Sequence, residues 1–507
     1  MDAIRFTWMF VIPLIASPVV YLAGRLGTHA TTLKGRSWLV RGLALLAVLA
    51  AWVPFVVTAQ RLAASSGGQL EFAVESVWLR ADALSLLLAA MVLVLGTLVI
   101  LFSGPYMAGE VGEEKFYAML LAMMGMMIGL GCAGDLFNLW VWFEGMAVSS
   151  YLLVSFYREQ AASLEAGMKY LVQSATGSVL VLMGIALVLA NTGNLDLQVL
   201  HNHDYAQSAN QLALHAAAAL FIIGFGVKAA LVPLHTWLPD AHSQAPSGIS
   251  AMLSGVVIEV GLIAMLRALG AVTFSADWRI LLLGFGALNI LFGNLMALRQ
   301  TLVKRLLAYS SLSHIGYILL GLGVALYDGG SLGAQGAMFH LFNHMLMKGL
   351  AFLAVGALMY GLYLQNGSHK ALAVSDLAGA AQKYPWVALT LSIAVLGLGG
   401  LPPLAGFMSK WQIFVGGFQT QNGWIMALMV FMAFNSVLSL AYYAPLINLM
   451  YRKAPSEQVL AGKPLPWPVI FPLILLALAV IVFGFAPGLL DWLTVPAAHR
   501  LIGMFWN

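Results

Sequence analysis

Seven titratable side chains fall inside long apolar stretches of the sequence: Glu144, Lys228, Glu259, His340, His344, Lys348 and Lys410. An ionisable group at membrane depth costs several kcal/mol unless it is paired or wetted, so each of them points to a conducting or binding role. A single buried lysine or histidine is readily explained as a satisfied structural group. Five intramembrane charges in one chain (Glu144, Lys228, Glu259, Lys348 and Lys410) would each need a separate structural reason. His340, His344 and Lys348 recur at i, i+4 and i+8, which lines them along one face of one helix. At the helical rise per residue that face reaches across about 12 Å, enough to carry a file of hydrogen-bonded groups and waters. His314 adds a further titratable group at similar depth. The chemistry these types and spacings suit is proton transfer.

The stretches that hold two of the lysines carry helix breakers. Lys228 is followed by Pro233, His235, Pro239 and His242, and Gly399-Gly400-Leu401-Pro402-Pro403 precedes Lys410. Proline removes a backbone donor and blocks the bond to the i−4 carbonyl, which leaves carbonyls for water or a side chain to solvate. A broken helix with a charge at mid-depth is a construction ion carriers use, often at repeat-related positions.

Hydrophobic residues make up 61% of the 507 positions and charged residues 9%, where a soluble domain is nearer half apolar and a quarter charged. The 51 glycines suit close helix packing in lipid. A formal charge of +4, scattered along the chain, gives no footprint for nucleic acid. The single cysteine, Cys132, excludes a disulfide framework, a cysteine-ligated iron–sulfur cluster and a cysteine-based zinc site. No cleavable signal peptide is visible, and Asp2 and Arg5 lead straight into the first apolar run.

With about 20 residues needed per crossing, fourteen spans are expected, near 6–24, 38–60, 83–104, 116–133, 135–156, 166–190, 211–232, 247–270, 278–298, 301–325, 332–363, 386–416, 424–451 and 467–490. The stretch around 70–81 alternates polar and apolar residues and reads as a small outer hairpin. Fifteen Lys and Arg fall in the odd-numbered connections, Lys304 among them, against six in the even ones and the termini. That bias puts both termini outside the cell membrane. The division expected is 1–110 (three helices and the hairpin), 111–271 (a first five-helix repeat), 272–452 (a second, inverted one) and 453–507 (the last span and a tail). Direct sequence identity between the two halves is weak, and the repeat is inferred from the topology.

Several runs together resemble the antiporter-like, proton-translocating subunits of respiratory complex I, Mrp-type sodium/proton antiporters and membrane-bound hydrogenases. They are Phe137–Glu144, Lys228–Pro246, Val303–Tyr317, His340–Lys348 and Gly400–Trp411, within a resemblance that covers roughly 80–450. It implies an all-α bacterial or archaeal inner-membrane protein of two inverted five-helix repeats with broken helices. It implies that Glu144 pairs with Lys228, that His344 and Lys348 form the central relay, and that Lys410 is the terminal charge. It also implies neighbouring membrane subunits, with iron–sulfur, flavin or nickel centres and quinone held by partners and no cofactor in this chain.

Two positions depart from the family's pattern. Glu259 stands where a lysine or histidine is usual, in Ser254-Gly255-Val-Val-Ile-Glu259. A carboxylate there could pass protons on from Lys228, pair statically with Lys228 or Lys348, or serve a cation other than H⁺. Gln300-Thr-Leu-Val-Lys304 also lacks the acidic residue often found before its lysine, which suggests weaker coupling to neighbours.

The mechanism expected is an electrostatic relay. Desolvation disfavours a charged lysine, whereas a carboxylate at about 4 Å favours it by about 4 kcal/mol at an effective dielectric of about 20. Movement of Glu144 would load or release the proton of Lys228, and Glu259, His344, Lys348 and Lys410 would respond in turn. Other functions compatible with the resemblance are an Mrp-type cation/proton antiporter subunit, a hydrogenase subunit and a subunit of an inorganic-carbon-uptake complex. A chain that itself binds quinone or a redox centre lacks a haem-ligand pair, a flavin fingerprint or a cysteine cluster. A purely structural subunit is at odds with the retained Glu144, Lys228, Lys348 and Lys410. The chain ends about 15 residues beyond its expected last span, without the lateral helix of the family's longest members.

Overall fold

The computed structural model describes residues 3–26, 33–65, 67–75, 77–203, 210–272, 277–328 and 330–505. Asp2, ahead of the expected first span, and Ser76, within the expected hairpin, lie outside the described residues. The chain begins with α1 (Trp8–Leu26) and α2 (Leu33–Ala64), then the antiparallel hairpin β1 (Gln69–Val74) and β2 (Val77–Asp82). α3 (Ala83–Tyr106), α4 (Glu113–Gly131), α5 (Leu136–Val154), α6 (Ala161–Thr192), the short α7 (Leu197–His201) and α8 (Gln211–Lys228) follow. Next come α9 (Trp237–Gln244), α10 (Ser247–Met252), α11 (Ile258–Gly270), α12 (Trp278–Ala297), α13 (Val303–Asp328) and α14 (Ser331–Leu362). The remainder is α15 (Ala380–Lys383), α16 (Pro385–Gly399), α17 (Ala405–Gln419), α18 (Gly423–Arg452), α19 (Glu457–Ala461), α20 (Trp467–Phe485) and α21 (Asp491–Ile502).

Among the described residues, 12 helices are long and apolar enough to cross a membrane. The expected fourteen included two stretches outside that count. α5 carries Asn138, Glu144 and two serines, which dilute its apolar character. The 386–416 stretch is divided into α16 and α17, each of 15 residues. The tail forms α21, which packs on α3 and α14.

Helix formation follows from the apolar runs, because in lipid a backbone must satisfy its own hydrogen bonds. Helix ends are marked by caps. Asp82 caps α3 in a reciprocal box with Ser85, and Asp135 and Asn422 cap α5 and α18. The span Ser247–Gly270 is wholly buried and α13 and α14 nearly so, whereas α1, α2, α6, α18 and α20 turn much of their surface outward. Trp38, Leu46, Val53, Phe434 and Val437 are exposed there, as lipid-facing residues would be. The most protected helices are therefore those that hold Glu259, His314, His340, His344 and Lys348.

At one end of the bundle a charged clasp ties the hairpin to distant elements. Arg80 bonds Asp196 and Glu71, Arg267 bonds Asp82 at 2.9 Å, and Arg500 of α21 reaches the other oxygen of Asp82 at 3.1 Å.

Candidate functional site

Lys228 ends α8 where the helix breaks. The chain turns through Ala230, with φ of 54°, and a cis Val232–Pro233 bond before α9. Asn289 of α12 props this turn by accepting from the Val232 amide at 2.9 Å and donating to the Ala230 carbonyl at 3.2 Å. Trp237 Nε1 donates to the freed Val227 carbonyl at 2.7 Å. The broken backbone is thus satisfied by two side chains.

The Lys228 ammonium is buried and donates to Tyr170 at 2.8 Å, Ser174 at 3.3 Å and Ser150 at 3.4 Å. It also lies 4.4 Å from the centroid of the Tyr170 ring, which stacks on Trp237. The expected pairing with Glu144 is absent. No ion pair joins them within 4.0 Å, although Glu144 is the charge that acts on Lys228. Glu144 is half-buried, and its Oε2 is buried without a partner in the protein. Hydroxyls hold the lysine in this state, and the carboxylate stands off.

Glu259 follows a π-helical turn, Leu253–Val257, that joins α10 to α11; such turns recur at functional sites. Its Oε1 meets His344 Nδ1 at 2.7 Å, with both side chains fully buried. Neither Lys228 nor Lys348 pairs with it, so the static lysine pairing open from the sequence is not what this geometry contains. Glu259 Oε2 and His344 Nε2 have no hydrogen-bond partner in the protein. Gly261 lets α11 approach α8 here, since a Cβ on it would sit 2.9 Å from Lys228 Cγ.

His314 stacks against His344, with ring centroids 5.0 Å apart, and against His340 at 5.1 Å. His314 Nδ1 meets His340 Nε2 at 3.0 Å, and His340 Nδ1 meets Ser409 Oγ at 2.8 Å. A line of buried groups therefore runs Glu259–His344–His314–His340–Ser409. The sequence put His314 beside the path; the structure puts it in the line, between two histidines of α14. Lys348, on the same face of α14, donates to the Leu307 carbonyl at 2.7 Å and to Ser310. Tyr443 in turn donates to Ser310 at 2.7 Å.

Next to Ser409, Lys410 lies at the second break. Gly400 takes φ of 77°, and the Pro402–Pro403 bond is cis. The ammonium donates to the Leu398 carbonyl at 2.8 Å and to Ser436 at 2.9 Å, and lies 4.4 Å from the Tyr317 ring centroid. It borders a cavity of about 370 Å³ lined by Leu401, Phe407, Trp411, Met432 and Val437.

Several groups the sequence reading did not single out complete the site. Lys304, counted with the aqueous connections, is buried at the start of α13 and donates to the Ala245 carbonyl at 2.8 Å. Tyr170, Tyr317, Tyr443 and Ser150, Ser174, Ser310, Ser409 and Ser436 surround the lysines. The signal available was a hydroxyl within one or two turns of a titratable residue, as in Ser409-Lys410. His235 and His242 stand apart from the line: His235 packs on Phe292 and Tyr309, and His242 stacks on Phe352.

Lysines parked at two helix breaks, with a line of buried carboxylate, imidazole and hydroxyl groups that ends beside the second, define a polytopic membrane protein of the ion-carrier class. The chain belongs to the family described as NADH:quinone oxidoreductase/Mrp antiporter, whose model matches residues 133–439. Residues 73–117 match a second model, described as NADH-Ubiquinone oxidoreductase (complex I), chain 5 N-terminus. F(420)H(2) dehydrogenase subunit N of Methanosarcina mazei is 31% identical over 465 residues, 91% of this chain and 92% of that one. NADH-quinone oxidoreductase subunit N of Desulforudis audaxviator is 32% identical over 418 residues, 78% of this chain and 79% of that one. A chain of the membrane-bound sulfane sulfur reductase, an archaeal respiratory membrane complex, superposes with a TM-score of 0.85 at 28% identity, covering 99% of this chain and 98% of that one.

Proposed function

We propose that this chain is a proton-translocating membrane subunit of a complex I-like, NADH/quinone oxidoreductase-type assembly. It conducts H⁺ along Glu144, Lys228, Glu259, His344, His314, His340, Lys348 and Lys410, coupled to redox chemistry in partner subunits that hold the cofactors. The observation that carries this reading is the fully buried Glu259–His344 contact at 2.7 Å, continued through His314 and His340 to Ser409 beside Lys410. A structural core has no need of such a line, because burying each polar group is costly unless it is paired. Membership of the family and the respiratory relatives support it. The two breaks, after Lys228 and before Lys410, are read as repeat-related gates, with the termini on the outer side of the cell membrane.

In inverted vesicles of the native assembly, Lys228→Ala, Glu144→Ala and Lys410→Ala should each abolish proton pumping while the chain remains in the membrane. Undiminished pumping in all three would sink the relay. Cation/proton exchange is the second reading, favoured by a buried carboxylate oxygen of Glu259 left without a protein partner. It requires that transport depend on Na⁺ or K⁺.

A further inference from the structure

We propose that Glu110 and His369 form a second proton intake, which feeds Lys348 and the Glu259–His344 pair directly, beside the supply through Lys228. The proposal rests on the relay reading above and adds its supply. Glu110 lies between α3 and α4, and His369 follows α14. Their side chains meet at 3.0 Å and are 23% and 28% exposed, so water reaches them. Neither belongs to a candidate span.

A line of hydroxyls leads inward from this pair. The Tyr157 ring lies 4.4 Å from the His369 ring, centroid to centroid. Its hydroxyl is buried without a hydrogen-bond partner in the protein, a place ordered water ordinarily fills. The Tyr106 hydroxyl meets Ser247 Oγ at 3.2 Å. Ser247, Ser250 and Ser254 then recur at i, i+3 and i+7 on one face of the wholly buried helix, a descent of about 10 Å. Ser250 bonds the His242 carbonyl at 3.2 Å, and Ser254 meets Ser311 at 2.6 Å. Ser311 adjoins Ser310, which holds the Lys348 ammonium, and Glu259 lies little more than one turn beyond Ser254.

Packing explains the size of these residues but not their hydroxyls. A Cβ on Gly356 would sit 2.4 Å from Ser247 Cβ, so a small residue is required there, yet alanine would serve. Tyr106 and Tyr157 are not small. Beside the line, Ser103 Oγ and both ring nitrogens of His242 are buried without a partner in the protein. Buried polar atoms of that kind are ordinarily satisfied by ordered water. Each hydroxyl, or a water bridging two of them, accepts a proton on oxygen as it releases its own to the next, so the line ends unchanged. The proton gained at Glu110 or His369 is delivered to the Glu259 carboxylate or a neutral Lys348.

The test uses native assemblies in inverted vesicles, with the initial rate of proton transport measured at equal chain levels. Glu110→Gln, His369→Asn and Tyr106→Phe should each slow it by about ten-fold or more, and Glu110→Asp should restore it. If Glu110→Gln and Tyr106→Phe transport at the unaltered rate while Lys228→Ala does not, the intake is overturned and the relay stands. If Glu110→Asp is as slow as Glu110→Gln at equal chain levels, the loss is structural and the intake is again overturned. Full transport by Lys228→Ala alone would count against the relay reading and leave the slowed intake variants as support for direct supply.

Discussion

The sign of the group at position 259 decides how the central pair works. An imidazole and a carboxylate 2.7 Å apart, both fully buried, can share one proton, and each keeps a second polar atom free to receive or pass another. A basic residue at 259, usual among the sequences this chain resembles, would face His344 as a second base. Glu259→Lys should therefore destabilise the chain by about 3–5 kcal/mol, the cost of leaving a buried charge without its partner, and should stop transport. Thermal unfolding of the purified protein and proton transport in vesicles check this; an unaltered melting temperature with full pumping would mean that the carboxylate has no dedicated role. The acids and bases of this site were legible because such residues are improbable in an apolar run. Tyr170, Ser310 and Ser436 were not, because serine and tyrosine are ordinary in membrane helices and only the fold shows which of them meet a lysine.

At the scale of elements, the broken helix is held by charge outside the apolar layer. Asp240 of α9 bonds Lys169 of α6 at 3.1 Å and forms an ion pair with Arg305 of α13. Burial pushes the Asp240 carboxyl up, but its bonds to Lys169 and Arg305 outweigh this and hold it below the ordinary carboxylate range. A depressed carboxyl contributes stability that is fully present above the unfolded value of about 4 and is lost as pH falls through the folded one. Asp240→Asn should thus destabilise the protein at neutral pH, by about 1 kcal/mol or less for the half-exposed pair with Arg305. The difference should vanish on acidification below about pH 4; a gap that persists there in thermal unfolding would assign the effect to packing of α9. Proline and glycine made both breaks legible, while the props did not announce themselves. Asn289 lies 57 residues from the Val232 amide it accepts from, and Trp237 caps a carbonyl 10 residues back across the break.

For the whole molecule, the connections divide between two ends of the bundle. The hairpin, α7 and α21 gather at the end where Asp82 joins Arg267 and Arg500. The connections after α3, α5 and α14 meet at the other, where His369 bonds Glu110 and packs on Tyr157. The two expected spans outside the twelve are a polar helix, α5, and a broken stretch, α16 with α17, since both features weaken the continuous apolar signal on which counting relies. The connections after α3, α5 and α14 are among the odd-numbered ones, which together hold fifteen Lys and Arg in the sequence. That bias predicts that the end with His369 is cytoplasmic. The native Cys132 is buried and leaves little background for a membrane-impermeant maleimide. Gly67→Cys, beside the hairpin where a Cβ meets nothing within 4 Å, should react in intact cells. Ser368→Cys, exposed beside His369, should react only in inverted vesicles, and labelling of both from the same side would place the ends of the bundle wrongly. The same measurement fixes the direction of the relay, because an intake at Glu110 and His369 draws protons from the cytoplasm only if Ser368 lies there.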